Sequence, residues 1–113
     1  MAERPEVSKV LYPALPGAPG HDIWKRDFTG SASVFSIVFN DTWPTARIVK
    51  FVEALRLFKI GYSWGGVTSL VMAYESLGRV NRNYGRHLVR LNIGLEEPQD
   101  LIADIEQALA RSN

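Results

Sequence analysis

Hydrophobic and polar positions follow two rhythms along this chain, and each change of rhythm marks an element. Ser33 to Phe39, SVFSIVF, is β-branched and aromatic, of strand length, and closed by the turn residues Asn40 and Asp41. It predicts a buried strand. Thr42 is an N-cap candidate, after which Ile48, Phe51, Val52, Leu55 and Phe58 recur at helical spacing up to Gly61. This predicts a helix reaching Leu57 and Phe58. Tyr62 to Trp64 and Ser69 to Ala73 predict two short strands around Gly65 and Gly66, followed by a polar loop, SLGRVNRNYG. His87 to Ile93, HLVRLNI, predicts a strand with His87, Val89, Leu91 and Ile93 on one face and Leu88, Arg90 and Asn92 on the other. Pro98 suits the first turn of a closing helix, which Glu96 and Glu97 precede. Leu101, Ile102, Ile105, Ala108 and Leu109 form its apolar stripe.

The first thirty residues are less regular. Lys9 to Tyr12 is a short apolar segment stopped by Pro13, and ALPGAPG behind it is too rich in Pro and Gly for a helix or central strand. HDIWKRDFTG fits a brief amphipathic helix or turn ended by Gly30. The expected organisation is one domain over residues 1–113, with 1–19 as an N-terminal arm and connecting loop and 20–113 as the core. The order of elements suits an open sheet with helices on one face.

Composition narrows the function classes. The chain has 113 residues, 46% hydrophobic and 22% charged, an ordinary globular balance and short for an enzyme that wraps a cofactor. No apolar run approaches the roughly 20 residues needed to span a bilayer. A net charge of +1 gives no global pull toward nucleic acid or membrane, so neither is expected as a partner. With no cysteine there are no disulfides, thiolate nucleophiles or Cys-based metal sites. MAERPEVSKV does not read as a secretory signal, which makes the cytoplasm the expected compartment.

Gly61-Tyr62-Ser63-Trp64-Gly65 matches the G-x-S-x-G nucleophile elbow, but the elbow needs a helix after its serine and a strand-like segment follows here. His87 also precedes Asp100 and Asp104, the reverse of the hydrolase order. Arg90 is more informative. An arginine amid Leu88, Val89, Leu91 and Ile93 is either a carboxylate-binding fork in a cleft wall or an arginine on an open strand face or paired within the domain. Arg79, Arg82, Arg86, His87 and Arg90 with Tyr84 form a basic segment, read as a solvated loop rather than a nucleic-acid surface. His21 and His87 lack metal-ligand partners at any useful spacing, so no metal is expected.

Three stretches together carry a resemblance: PGHDIWKRDFTG at 19–30, ALRLFKIGYSWGGVTSLV at 54–71 and LVRLNIGLEEPQDLIADIEQAL at 88–109. They resemble the C-terminal domain of cystathionine β-lyases, in the Cys/Met-metabolism family of pyridoxal-phosphate enzymes. The resemblance implies an α/β fold: a small, mostly antiparallel sheet with helices on one face, as in the C-terminal lobe of fold-type-I enzymes. It implies β-elimination as the family chemistry, cleaving L-cystathionine to homocysteine, pyruvate and ammonia. Arg90 matches the family arginine that grips the substrate α-carboxylate, Ser63 a residue that helps to bind it, and Trp64 the aromatic beside the substrate; Tyr62 is their neighbour. Thr68 stands where the family has glutamate, and Asn92 where histidine is common. The Schiff-base lysine and phosphate-binding residues belong to a large domain that these 113 residues do not match. The chain is therefore expected to hold no catalytic or cofactor-binding residue, to bind no pyridoxal phosphate stably and to be silent alone. Its expected partners are the substrate carboxylate and the missing domain, or, as the alternative function, a second copy in a non-catalytic self-associating module from a truncated gene.

Overall fold

The computed structural model describes residues 1–74, 84 and 87–113. Among these residues five strands form one sheet: β1 (Val7–Leu11), β2 (Val34–Phe39), β3 (Lys59–Ile60), β4 (Leu70–Tyr74) and β5 (Leu88–Asn92), in the spatial order β1-β2-β5-β4-β3. The pairs β1/β2, β2/β5 and β4/β5 are antiparallel, and only β3/β4 is parallel. The described residues also form three helices: α1 (His21–Asp27), α2 (Thr45–Ala54) and α3 (Pro98–Arg111). The α/β class with a mostly antiparallel sheet is as the sequence led us to expect. Among the described residues no helix is long and apolar enough to cross a membrane.

The core follows from the two rhythms. Ile37 and Val89 are register partners, as are Val71 and Leu91, and all four are essentially fully buried. They share the cluster with Ile48, Phe51 and Val52 of α2 and Leu101, Ala108 and Leu109 of α3. A helix presents i, i+3 and i+4 on one side and a strand alternates, so helical stripes meet alternate strand positions on one face. Phe39 stacks on Trp43 with ring centroids 4.5 Å apart, closing the end of the core where β2 turns into α2.

Four expectations need correction. Thr42 does not cap α2. Pro44 follows Trp43 and disfavours helical backbone there, so the helix starts at Thr45 with Pro44 extended at the cap position. The helix stops at Ala54 rather than Phe58, because the amides of Arg56, Leu57 and Phe58 turn to the carboxylate of Asp104 on α3. Tyr62 to Trp64 is not a strand: β3 is only Lys59–Ile60, and residues 61–69 run as a loop. The N-terminal arm is not outside the sheet, since β1 is its edge strand, with a bulge between Val7 and Lys9 and the Ser8 hydroxyl donating to Val38 O at 3.0 Å. The polar loop before β5, with Arg79, Arg82 and Arg86, lies outside the described residues apart from Tyr84.

Candidate functional site

Val89 and Leu91 point into the helical core, so Arg90 and Asn92 leave β5 on the opposite face. That face is covered in part by the 61–69 loop. Arg90 is half-buried there, and its Nη2 donates to three successive carbonyls, Gly61 O at 3.3 Å, Tyr62 O at 2.5 Å and Ser63 O at 3.3 Å. Its guanidinium carbon stands 5.5 Å from the Trp64 ring centroid and 5.9 Å from that of Tyr74, within cation–π reach of both. Among the described residues Arg90 forms no ion pair with a carboxylate, and its Nε and Nη1 make no hydrogen bond. The three carbonyls fix one side of the guanidinium, and the remaining donors stay available to an anion from outside.

Tyr62 and Trp64 flank this donor set and are 75% and 64% exposed. Ser63 is exposed as well. Its carbonyl, not its hydroxyl, touches Arg90. The structure thus brings Arg90, Ser63, Trp64 and Tyr62 into one small region through the backbone of the loop. That loop is held at its far side by Asn92, fully buried, whose Oδ1 accepts from Gly65 N at 3.0 Å and from Ser33 Oγ at 2.9 Å. Both histidines are engaged elsewhere, His21 Nδ1 with Pro13 O and His87 Nε2 with Trp43 O. The G-x-S-x-G pattern has no helix behind it, only the loop and then β4.

Three residues of this region were not legible as partners. Ser69 is fully buried, its backbone N–H donating to Glu96 Oε1 and its hydroxyl to Glu96 Oε2, both at 2.8 Å. Gly94 N donates in turn to Ser69 Oγ at 2.8 Å, and Leu95 N to Val67 O at 2.8 Å. Glu96 looks in sequence like a charge before α3. It instead ties the β5–α3 turn to the base of the 61–69 loop.

The Ser69 backbone N–H, helped by its hydroxyl, holds the Glu96 carboxyl below the usual glutamate range, against a smaller upward push from burial. A lowered native value stabilises the fold above the ordinary glutamate range, and that contribution is lost as the pH falls through the lowered value. Glu96→Gln should therefore melt below the parent at pH 7. The gap should shrink as both are acidified toward pH 3; melting curves across that range that stay parallel would remove the Glu96 clasp.

All four lysines, Lys9, Lys25, Lys50 and Lys59, are exposed, and Lys59 Nζ donates to Arg56 O at 2.8 Å.

Residues 1–110 match the family model described as "Cys/Met metabolism PLP-dependent enzyme". Cystathionine beta-lyase MetC of Escherichia coli is 41% identical over 98% of this chain and 30% of its own length. An L-alanine/L-glutamate racemase of Wolbachia pipientis is also 41% identical, over 94% of this chain and 27% of its own. The crystal structure of metB from Corynebacterium glutamicum superposes with a TM-score of 0.84 at 33% identity, covering 99% of this chain and 30% of that one. The chain thus spans less than a third of the length of these relatives.

Proposed function

The chain belongs to the Cys/Met metabolism PLP-dependent enzyme family, and from that premise we propose that it is the C-terminal, substrate-carboxylate-binding lobe of a cystathionine β-lyase-type carbon–sulfur lyase. The observation that carries this reading is Arg90. Its Nη2 is anchored by the carbonyls of Gly61, Tyr62 and Ser63, and no carboxylate of the described residues neutralises it. An arginine fixed on one side and beside exposed aromatics is built to receive an anion on the other. In the reading proposed, Arg90 holds the α-carboxylate of the amino acid, Trp64 and Tyr62 shield it from water, and Ser63 adds a hydroxyl at the rim. The contribution is orientation of the substrate relative to the reacting groups. Equal identity to a lyase and to a racemase fits a lobe that handles the amino-acid end common to both substrates.

The residues present do not fit the pyridoxal cofactor itself. A Schiff base needs a lysine held in a protected site, and every lysine here is exposed. In the reading proposed, the cofactor's holders and the bond-breaking steps belong to the rest of a family enzyme, and the setting is cytoplasmic.

The test is a titration of the isotopically labelled chain with L-cystathionine, following the Arg90 Nε–H resonance. A saturable shift should appear and should be absent with the dimethyl ester; followed instead on the backbone amides of Tyr62 to Trp64, which both chains share, the affinity should weaken at least about tenfold in Arg90→Lys, which loses the planar fork. An ester that binds as well as the acid would sink the carboxylate reading. A second reading has its own observation: Tyr62, Trp64, Val67 and Leu95 are all more than half exposed. Such a surface suits self-association, and sedimentation of the same samples separates it from a monomer that binds carboxylates.

A further inference from the structure

Asn92 is fully buried on a central strand, yet its Nδ2 has no hydrogen-bond partner among the described residues. A buried, unsatisfied amide donor is unfavourable, and an apolar side chain of similar size would avoid it. What distinguishes asparagine here is its other atom. Oδ1 takes two hydrogen bonds, from Ser33 Oγ on the chain leading into β2 and from Gly65 N in the loop. The amide cannot be turned round, because Nδ2 would then face the Gly65 N–H donor to donor.

Gly65 is the turning point of that loop. Its φ of 77° is the left-handed conformation that glycine adopts without a Cβ penalty. Before the turn the chain offers its carbonyls at 61, 62 and 63 to Arg90; after it, Val67 O accepts from Leu95 N. Between those points Gly65 N to Asn92 is the attachment of the loop's apex to the sheet. Arg90 and Asn92 are two residues apart on the same face of β5, so one rigid strand holds the loop by its carbonyls with one residue and by its amide with the other.

We propose that Asn92 is a positioning residue of the carboxylate site: by fixing Gly65 it sets the loop whose carbonyls aim the Arg90 guanidinium, and so sets how tightly a carboxylate is held. This rests on the carboxylate reading of Arg90. Asn92 touches neither the carboxylate nor the guanidinium, and acts through the loop.

The experiment compares the full 113-residue chain with Asn92→Ala by amide hydrogen exchange and by the L-cystathionine titration. In Asn92→Ala the Gly65 amide should exchange about tenfold faster and cystathionine affinity should fall about tenfold, while Val89 and Leu91 keep their protection. Asn92→Asp, which retains Oδ1, should restore the slow exchange of Gly65. Should Asn92→Ala unfold, Asn92→Ser, too short to reach Gly65, repeats the comparison. Unchanged Gly65 exchange in a folded variant overturns the positioning role even where wild-type binding is normal. A wild-type chain indifferent to cystathionine, with Gly65 freed in the variant, overturns the carboxylate reading and the binding role with it.

Discussion

Asp104→Ala should lower the unfolding free energy by about 3–5 kcal/mol and leave little folded protein above room temperature. Asp104 is 5% exposed, on the inward face of α3. Its carboxylate accepts from Arg56 N at 2.9 and 3.1 Å, Leu57 N at 2.8 Å, Phe58 N at 3.4 Å and Gln107 Nε2 at 3.0 Å. Alanine removes a charged acceptor, where each bond contributes about 1.5–3 kcal/mol, and strands amides whose burial without partners costs about 1–3 kcal/mol each. Water reaching the exposed end at Arg56 offsets part of this, which keeps the sum near the lower end. A small domain has only about 5–15 kcal/mol in total. Asp104→Asn keeps one neutral acceptor and should lose roughly half as much. Urea unfolding followed by tryptophan fluorescence measures both; a loss under about 1 kcal/mol for alanine would show that solvent satisfies those amides.

The same carboxylate explains where reading the sequence stopped. Leu55 and Phe58 do fall on the helical stripe of α2 and both are buried, so periodicity placed them in the core correctly and in the wrong backbone. The chain after Ala54 leaves the helix because donors there are satisfied from α3, 46 to 48 residues away. No local pattern records that. Glu96 and Ser69 are likewise 27 residues apart. By contrast β2, β5 and α3 were legible because alternation and the helical repeat are local and strong, and Pro98 does stand in the first turn of α3. The face shared by Arg90 and Asn92 followed from alternation alone. The loop opposite did not, since Tyr62 to Trp64 has strand composition but the carbonyls of Gly61, Tyr62 and Ser63 go to a guanidinium instead of a neighbouring strand.

The second large effect is expected where that loop meets the β5–α3 turn. A Cβ on Gly94 would stand 2.3 Å from Val67 O, 2.7 Å from Glu96 Oε2 and 2.7 Å from Ser69 N. Two of the three obstacles are backbone atoms, which no rotamer change moves, and the third is the carboxylate already clasped by Ser69. The turn must back away by about an ångström, breaking Gly94 N to Ser69 Oγ and Leu95 N to Val67 O together. Gly94→Ala should therefore cost about 3 kcal/mol, at the upper end for adding one methyl to a packed site. It should also free the 61–69 loop from below, so that on the proposed carboxylate reading stability and cystathionine binding fall in the same variant, whereas Asn92→Ala weakens binding with the sheet intact. Urea midpoints report the loss of stability and the L-cystathionine titration the loss of binding, while hydrogen exchange at the Ser69 amide reports the clasp itself. A Gly94→Ala chain with a parental midpoint and a protected Ser69 amide would mean that the turn has room the close approach of Val67 denies, and the clasp would then be no part of what holds the site.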